Sequence, residues 1–198
     1  MALLPRNCIL TGLSYLTRQP GWKGQRTEEE VLPHLWQQID TKYVERRLLA
    51  AEGVGLLCPN VSRDMRASFL LSICQQLVSD NETAVVVMAV HSLAVILNTL
   101  EDDVKLMKAV DQLDQALDKH SFQADIISAL ATSLLPVLAV KSASALTEKN
   151  AFEKVLGKLL ENLHFVTQMQ ERIKLVEELL PLAAYTLVGH NPGHSQVF

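Results

Sequence analysis

Three aspartates impose the strongest constraint on this chain. Asp40, Asp80 and Asp118 stand 40 and 38 residues apart, and each closes an apolar segment of the same kind: LPHLWQQID, ICQQLVSD and QLDQALD. A short polar turn follows each, and then a second apolar segment. Eight residues past the aspartates come Leu48, Met88 and Ile126. Sixteen past come Leu56, Ile96 and Leu134, and seventeen past come Leu57, Leu97 and Leu135. Thirteen past, Gly53, Leu93 and Ala131 are less uniform. A fixed period of this length is the mark of a repeated helix–turn–helix unit. One such pair cannot bury its apolar face alone, whereas stacked pairs cover one another. The expected fold is all-α, an α-solenoid of about four helix pairs.

Periodicity and breakers predict helices near 5–18, 28–40, 43–58, 62–79, 82–99, 103–118, 121–140, 148–165 and 168–187. The turn aspartates are expected to cap the helices that follow them. Thr27 with Glu30 reads as a capping box, and Glu28 and Glu29 add favourable charge there. The acidic run Glu101, Asp102 and Asp103 reads as the start of the 103–118 helix. Pro33, Pro136 and Pro181 lie inside helical patterns, where a proline usually kinks the helix. TRQPGWKGQR (17–26) is a loop. The segments divide into an N-terminal helix and loop (1–27), a repeat array (28–187) and a tail (188–198) that is expected to be disordered.

Composition excludes several classes. The 198 residues are 48% hydrophobic but only 5% aromatic, which disfavours a many-stranded sandwich. Residues 1–66 hold nine Lys/Arg against seven Asp/Glu, and the remainder nine against fifteen, so no basic stripe marks a nucleic-acid surface. Cys8, Cys58 and Cys74 match no zinc spacing and read as reduced thiols of a cytosolic protein. The apolar run AVVVMAVHSLAVIL (84–97) is too short to span a bilayer, so no membrane span is expected. MALLPRNCILTGL lacks the layout of a signal peptide.

Gly53 and Gly55, in GVGLL, could suggest a phosphate loop. They sit mid-helix, however, with no third glycine and no Lys-Ser/Thr after them. The expected role is close approach of two helices. Of Arg46 and Arg47, one is expected to pair with Asp40 across the turn and the other to be solvated; the sharper alternative makes both part of a partner-binding ridge. His34, His91, His120, His164, His190 and His194 do not gather with carboxylates at ligand spacing. His91 is expected to be a satisfied core or inter-helix histidine. No GxSxG, HExxH or kinase signature occurs. Trp36 is expected to pack inward, and Trp22, in the first loop, is a candidate partner contact. No cofactor, metal or catalytic residue is indicated.

The helix pairs with a proline in the first helix, as in LPHLWQQID, look like HEAT repeats. LPHLWQQIDTKYVERRLLAAE and LLSICQQLVSD, within residues 28–100 and more loosely to 187, resemble the HEAT-repeat region of the RELCH family, the LisH-domain and HEAT-repeat-containing proteins. The resemblance implies a right-handed superhelical stack of HEAT-like pairs acting as a non-enzymatic adaptor. It also implies a Rab-family small GTPase and an oxysterol-binding protein as partners. The implied role is cholesterol movement from recycling endosomes to the trans-Golgi network, from a cytoplasmic location peripheral to those membranes. No LisH motif or coiled coil is present, and the chain reads as a fragment or short isoform.

Two other readings compete. One is a generic HEAT scaffold of the phosphatase-regulator or transport-receptor kind. The other is a helical carrier of a hydrophobic ligand, which would need a closed cavity with a mouth. The helix ERIKLVEELLPLAAYTLVG (171–189) is the candidate for an uncovered apolar face and for self-association.

Overall fold

A computed structural model of the chain describes residues 24–118, 123–142 and 146–162, with short helical pieces between 172 and 184. The expected helix at 5–18, most of the 17–26 loop with Trp22, Cys8, and the 188–198 tail lie outside the described residues. The helix expected at 168–187 is described only in pieces.

The described residues are helical, with no strand among them. We number the helices α1 (25–39), α2 (Val44–Leu57), α3 (63–77), α4 (Thr83–Thr99), α5 (Asp103–Leu117), α6 (124–142) and α7 (Leu146–Asn162). Sequence neighbours pack together at α1–α2, α2–α3, α3–α4 and α6–α7, and each helix also contacts the next but one. Helix α2 packs on α4 and α4 on α6, while α1 packs on α3, α3 on α5 and α5 on α7. Asp40, Asp80 and Asp118 each stand just past the end of α1, α3 or α5.

Helix α4, TAVVVMAVHSLAVILNT, is apolar almost all round, and such a helix must be enclosed. It lies against α2, α3 and α6, and Val85, Val86, Ala89, Val90, Leu93, Ile96 and Leu97 have no exposed surface. Helix α5 is amphipathic instead and buries one stripe: Leu106, Ala109, Val110, Leu113 and Ala116. The position seventeen past each aspartate (Leu57, Leu97, Leu135) is fully buried in all three copies. Helix α6 is long and apolar enough, over Ala124–Lys141, to pass a length-and-composition test for crossing a membrane. Ile126, Ile127, Leu130, Leu134, Leu135 and Leu138 are nevertheless buried among the other helices, as befits a core helix.

Several local expectations are corrected. Thr27 does not cap a helix. The helix begins at Gln25, after Gly24 at φ +73°, so Thr27 is inside it and buried. Glu30 pairs with Arg26 at 2.9 Å, and Glu28 reaches across to accept the N–H of Ser62 at 2.6 Å. The turn aspartates do not cap with their side chains either: the cap positions before α2, α4 and α6 are Tyr43, Glu82 and Gln123, and none makes a side-chain cap bond. Asp80 does accept the N–H of Glu82 at 2.9 Å, just before α4. Otherwise the three carboxylates are engaged by side chains of other helices. Asp40 accepts from Gln76, Asp80 from Arg47, and Asp118 from Lys158. A carboxylate at a helix end is within reach of the neighbouring pair, and there it meets a charged or amide donor rather than a backbone N–H. The acidic run does start its helix, where Asp102 accepts the N–H groups of Val104 and Lys105 at 3.0 and 3.1 Å.

Pro33 and Pro136 each follow, with one residue between, a π-helical turn, Thr27–Val31 and Leu130–Leu134. A proline ring collides with the carbonyl one turn back and lacks an N–H. A wider turn moves that carbonyl aside and lets the helix continue. A third π turn, Arg66–Leu70, has no proline.

Candidate protein-binding surfaces

Helices α2, α4 and α6 lie side by side, and a groove of about 730 Å³ crosses their N-terminal halves. Its apolar lining is Leu48 from α2, Ala84, Val87 and Met88 from α4, and Ala129 from α6. Glu82 and Asp125 stand on its lining with Ser128, Thr132 and His91. Thr83 donates to the side-chain oxygen of Gln123 and ties the starts of α4 and α6 together. His91 Nδ1 lies 2.6 Å from Ser133 Oγ, so this histidine bridges α4 to α6 as expected.

The two glycines explain how the helices approach so closely. A Cβ on Gly55 would stand 2.8 Å from Ser92 Oγ, and that hydroxyl donates to the Ala51 carbonyl at 2.6 Å. A Cβ on Gly53 would stand 2.8 Å from Leu35 Cδ1. Gly53 thus opens α2 to α1, and Gly55 opens it to α4. The residues of GVGLL serve packing, as their mid-helix spacing suggests.

The structure separates the two arginines. Arg47 does not pair with Asp40. Its Nε and Nη2 donate to both oxygens of Asp80 at 2.6 and 3.0 Å, and its Nη1 donates to the Thr41 carbonyl at 2.8 Å. The pair is largely buried, with side chains 15% and 8% exposed. The hydrogen bond to Asp80 raises the Arg47 pKa, although burial opposes it. Arg46 instead lies 5.2 Å from the centre of the Tyr43 ring, with Lys42 at the same distance. Tyr43 is exposed, so the start of α2 shows solvent an aromatic ring flanked by two cations. Trp36 does not pack inward. It is 40% exposed and leans on Phe69 of α3, with ring centroids 5.4 Å apart. A tryptophan on the outer side of α1 can bury only the ring face that its neighbour covers.

On the opposite layer, Lys154 and Lys158 of α7 meet Asp111 and Asp114 of α5 and Asp118 just past its end. Lys154 lies 2.7 Å from Asp111 and 3.2 Å from Asp114, and Lys158 lies 2.7 Å from Asp114. Burial raises the Asp114 pKa, but hydrogen bonds from Lys158 and Lys154 outweigh it and leave the group below its ordinary value. Residue spacing alone does not reveal this ladder, because its partners stand a full repeat apart. Among the described residues no three His, Cys, Asp or Glu side chains gather as a metal site would require.

The model of the RAB11-binding protein RELCH N-terminal domain matches residues 5–191. Human RAB11-binding protein RELCH is 36% identical over 160 residues, 76% of this chain and 13% of that protein. The mouse protein is 37% identical and the Danio rerio homolog 36%, each over 135 residues, 68% of this chain and 11% of theirs. The chain therefore spans about an eighth of the length of these relatives. No solved structure matches it. With a match along nearly its whole length, the chain belongs to the RELCH family.

Proposed function

We propose that this chain is a non-enzymatic adaptor module that binds a Rab-family small GTPase. The observation that carries the reading is the family membership, since the relatives are named for binding RAB11. Helices that pack in two alternating rows support an α-solenoid of HEAT-like pairs as its framework. The exposed Lys42, Tyr43 and Arg46 cluster supports a partner contact at the start of α2, because aromatic and arginine side chains dominate such contacts. Arg47 is committed to Asp80 and acts behind that surface. A partner oxysterol-binding protein, a role in cholesterol transfer from recycling endosomes to the trans-Golgi network, a cytoplasmic location on those membranes, and self-association all extend the same reading.

The lining of the groove argues against a hydrophobic-ligand carrier. Two carboxylates, a histidine and three hydroxyls stand among its apolar side chains.

The test is capture of purified Rab GTPases, loaded with a GTP analogue or with GDP, on the immobilised chain and on its Arg46→Glu variant. GTP-dependent capture that Arg46→Glu weakens at least about tenfold supports the reading. Absence of capture in both nucleotide states overturns it. Capture unchanged by Arg46→Glu keeps the partner and removes the start of α2 as its site.

A further inference from the structure

We propose that the groove across α2, α4 and α6 docks a basic amphipathic helix, about three turns long, from a partner protein. The argument begins with shape. Three neighbouring helices spaced about 8–10 Å apart span roughly 16–20 Å. A helix of about 12 residues, rising about 1.5 Å each, has that length. The groove floor offers the apolar surface of Leu48, Val87 and Met88 to one face of such a helix.

Charge then selects the partner. Glu82 and Asp125 are exposed at the groove, and neither has an ion pair among the described residues. Both stand at helix starts, where a carboxylate is favourable on its own account. That explains the residue type and leaves the charges open to solvent. The charge of Arg47 interacts with Glu82, but its guanidinium is already held by both oxygens of Asp80. The two exposed carboxylates favour lysine or arginine beside the apolar face of an incoming helix. Ser128 and Thr132 supply hydroxyls to the polar edge of that helix. Tyr43 and Arg46 do not line this groove, and the inference does not rest on the GTPase reading.

Two designed peptides of about 14 residues test it. They share one Leu/Met face, and one is flanked by lysines, the other by glutamates. Binding to the full chain is read by fluorescence anisotropy at low salt, and by the methyl resonance of Met88, assigned with Met88→Leu. The lysine peptide is expected to bind about tenfold or more tighter than the glutamate peptide and to shift the Met88 methyl. In Glu82→Gln/Asp125→Lys, checked as folded by circular dichroism, that preference collapses or reverses. Equal binding of the two peptides, no binding of either, or binding that leaves Met88 unshifted would overturn the proposal.

Discussion

Arg47 and Asp80 form a two-pronged clamp across 33 residues of sequence, joining the start of α2 to the turn that precedes α4. Removing one partner of a largely buried pair leaves the other without compensation. Asp80→Ala is expected to cost about 2–3 kcal/mol, discounted for the residual exposure of the pair. Arg46→Glu, on the exposed ring of Tyr43, is expected to change stability by less than about 0.5 kcal/mol. Urea denaturation of both variants checks the ranking. Equal midpoints would show that the clamp does not hold the two pairs together.

The glycines make a graded series. A Cβ on Gly157 would meet nothing within 4 Å, so Gly157→Ala is expected to stabilise α7 by about 0.5–1 kcal/mol through helix propensity. Gly53→Ala presses only on the flexible end of Leu35 and should be near neutral. Gly55→Ala strikes a hydroxyl fixed by its bond to Ala51, and is expected to cost about 1–2 kcal/mol. Ser92→Ala removes that hydroxyl. The double variant Gly55→Ala/Ser92→Ala should then be more stable than the two single losses predict. Thermal melts of the four variants and the double variant test the order.

The ladder between α5 and α7 gives stability a pH dependence with a definite sign. Asp114 titrates below its ordinary value, so its contribution is present above about pH 4 and is lost as pH falls through the folded value. Lys154 is raised, mainly by its hydrogen bond to Asp111. In Lys158, burial pulls the pKa down, but the bonds to Asp114 and Asp118 outweigh it. The lysine contribution is present below about pH 10.4 and is lost as pH rises through the folded values. The melting temperature of Asp114→Asn should accordingly depend less steeply on pH at both ends. Identical pH profiles for this variant and the parent would refute the assignment.

Cys58 and Cys74 have no exposed surface, and burial pushes both thiols up, Cys74 the further. In a Cys8→Ser background, a thiol reagent is expected to label neither in the folded chain until the helices around them open. Labelling should then track unfolding as urea is raised. Rapid modification of either cysteine in native buffer would show that α3 and the end of α2 open locally.

Much of the helical framework was readable in the sequence, because a period of about 40 residues and the apolar stripe of α5 depend only on residue order. The packing roles of Gly53 and Gly55 and the bridging role of His91 followed from their positions on otherwise apolar helices. Partner choice was not readable. Asp40 and Asp80 look like caps because a carboxylate before a helix usually is one. Their engagement with Gln76 and Arg47 depends on which helices the stack brings side by side. Trp36 was misplaced for a related reason: on α1 the stripe of Leu32, Leu35 and Ile39 already fills the inward face. The groove could not be read from the sequence, since it is made by residues from three separate helices.

Among the described residues, side-chain bonds that join one helix pair to the next reach from 33 residues, at Arg47–Asp80, to 44, at Lys158 to the Asp114 carbonyl. Ser92 to Ala51, His91 to Ser133 and Lys141 to Leu100 all fall between these limits. Each fastening can therefore be made as soon as the adjoining pair exists, without waiting for a distant part of the chain. A chain wired in this way can nucleate at any neighbouring couple of pairs and grow outward from it during synthesis, and its folding time should depend on one period rather than on its full length.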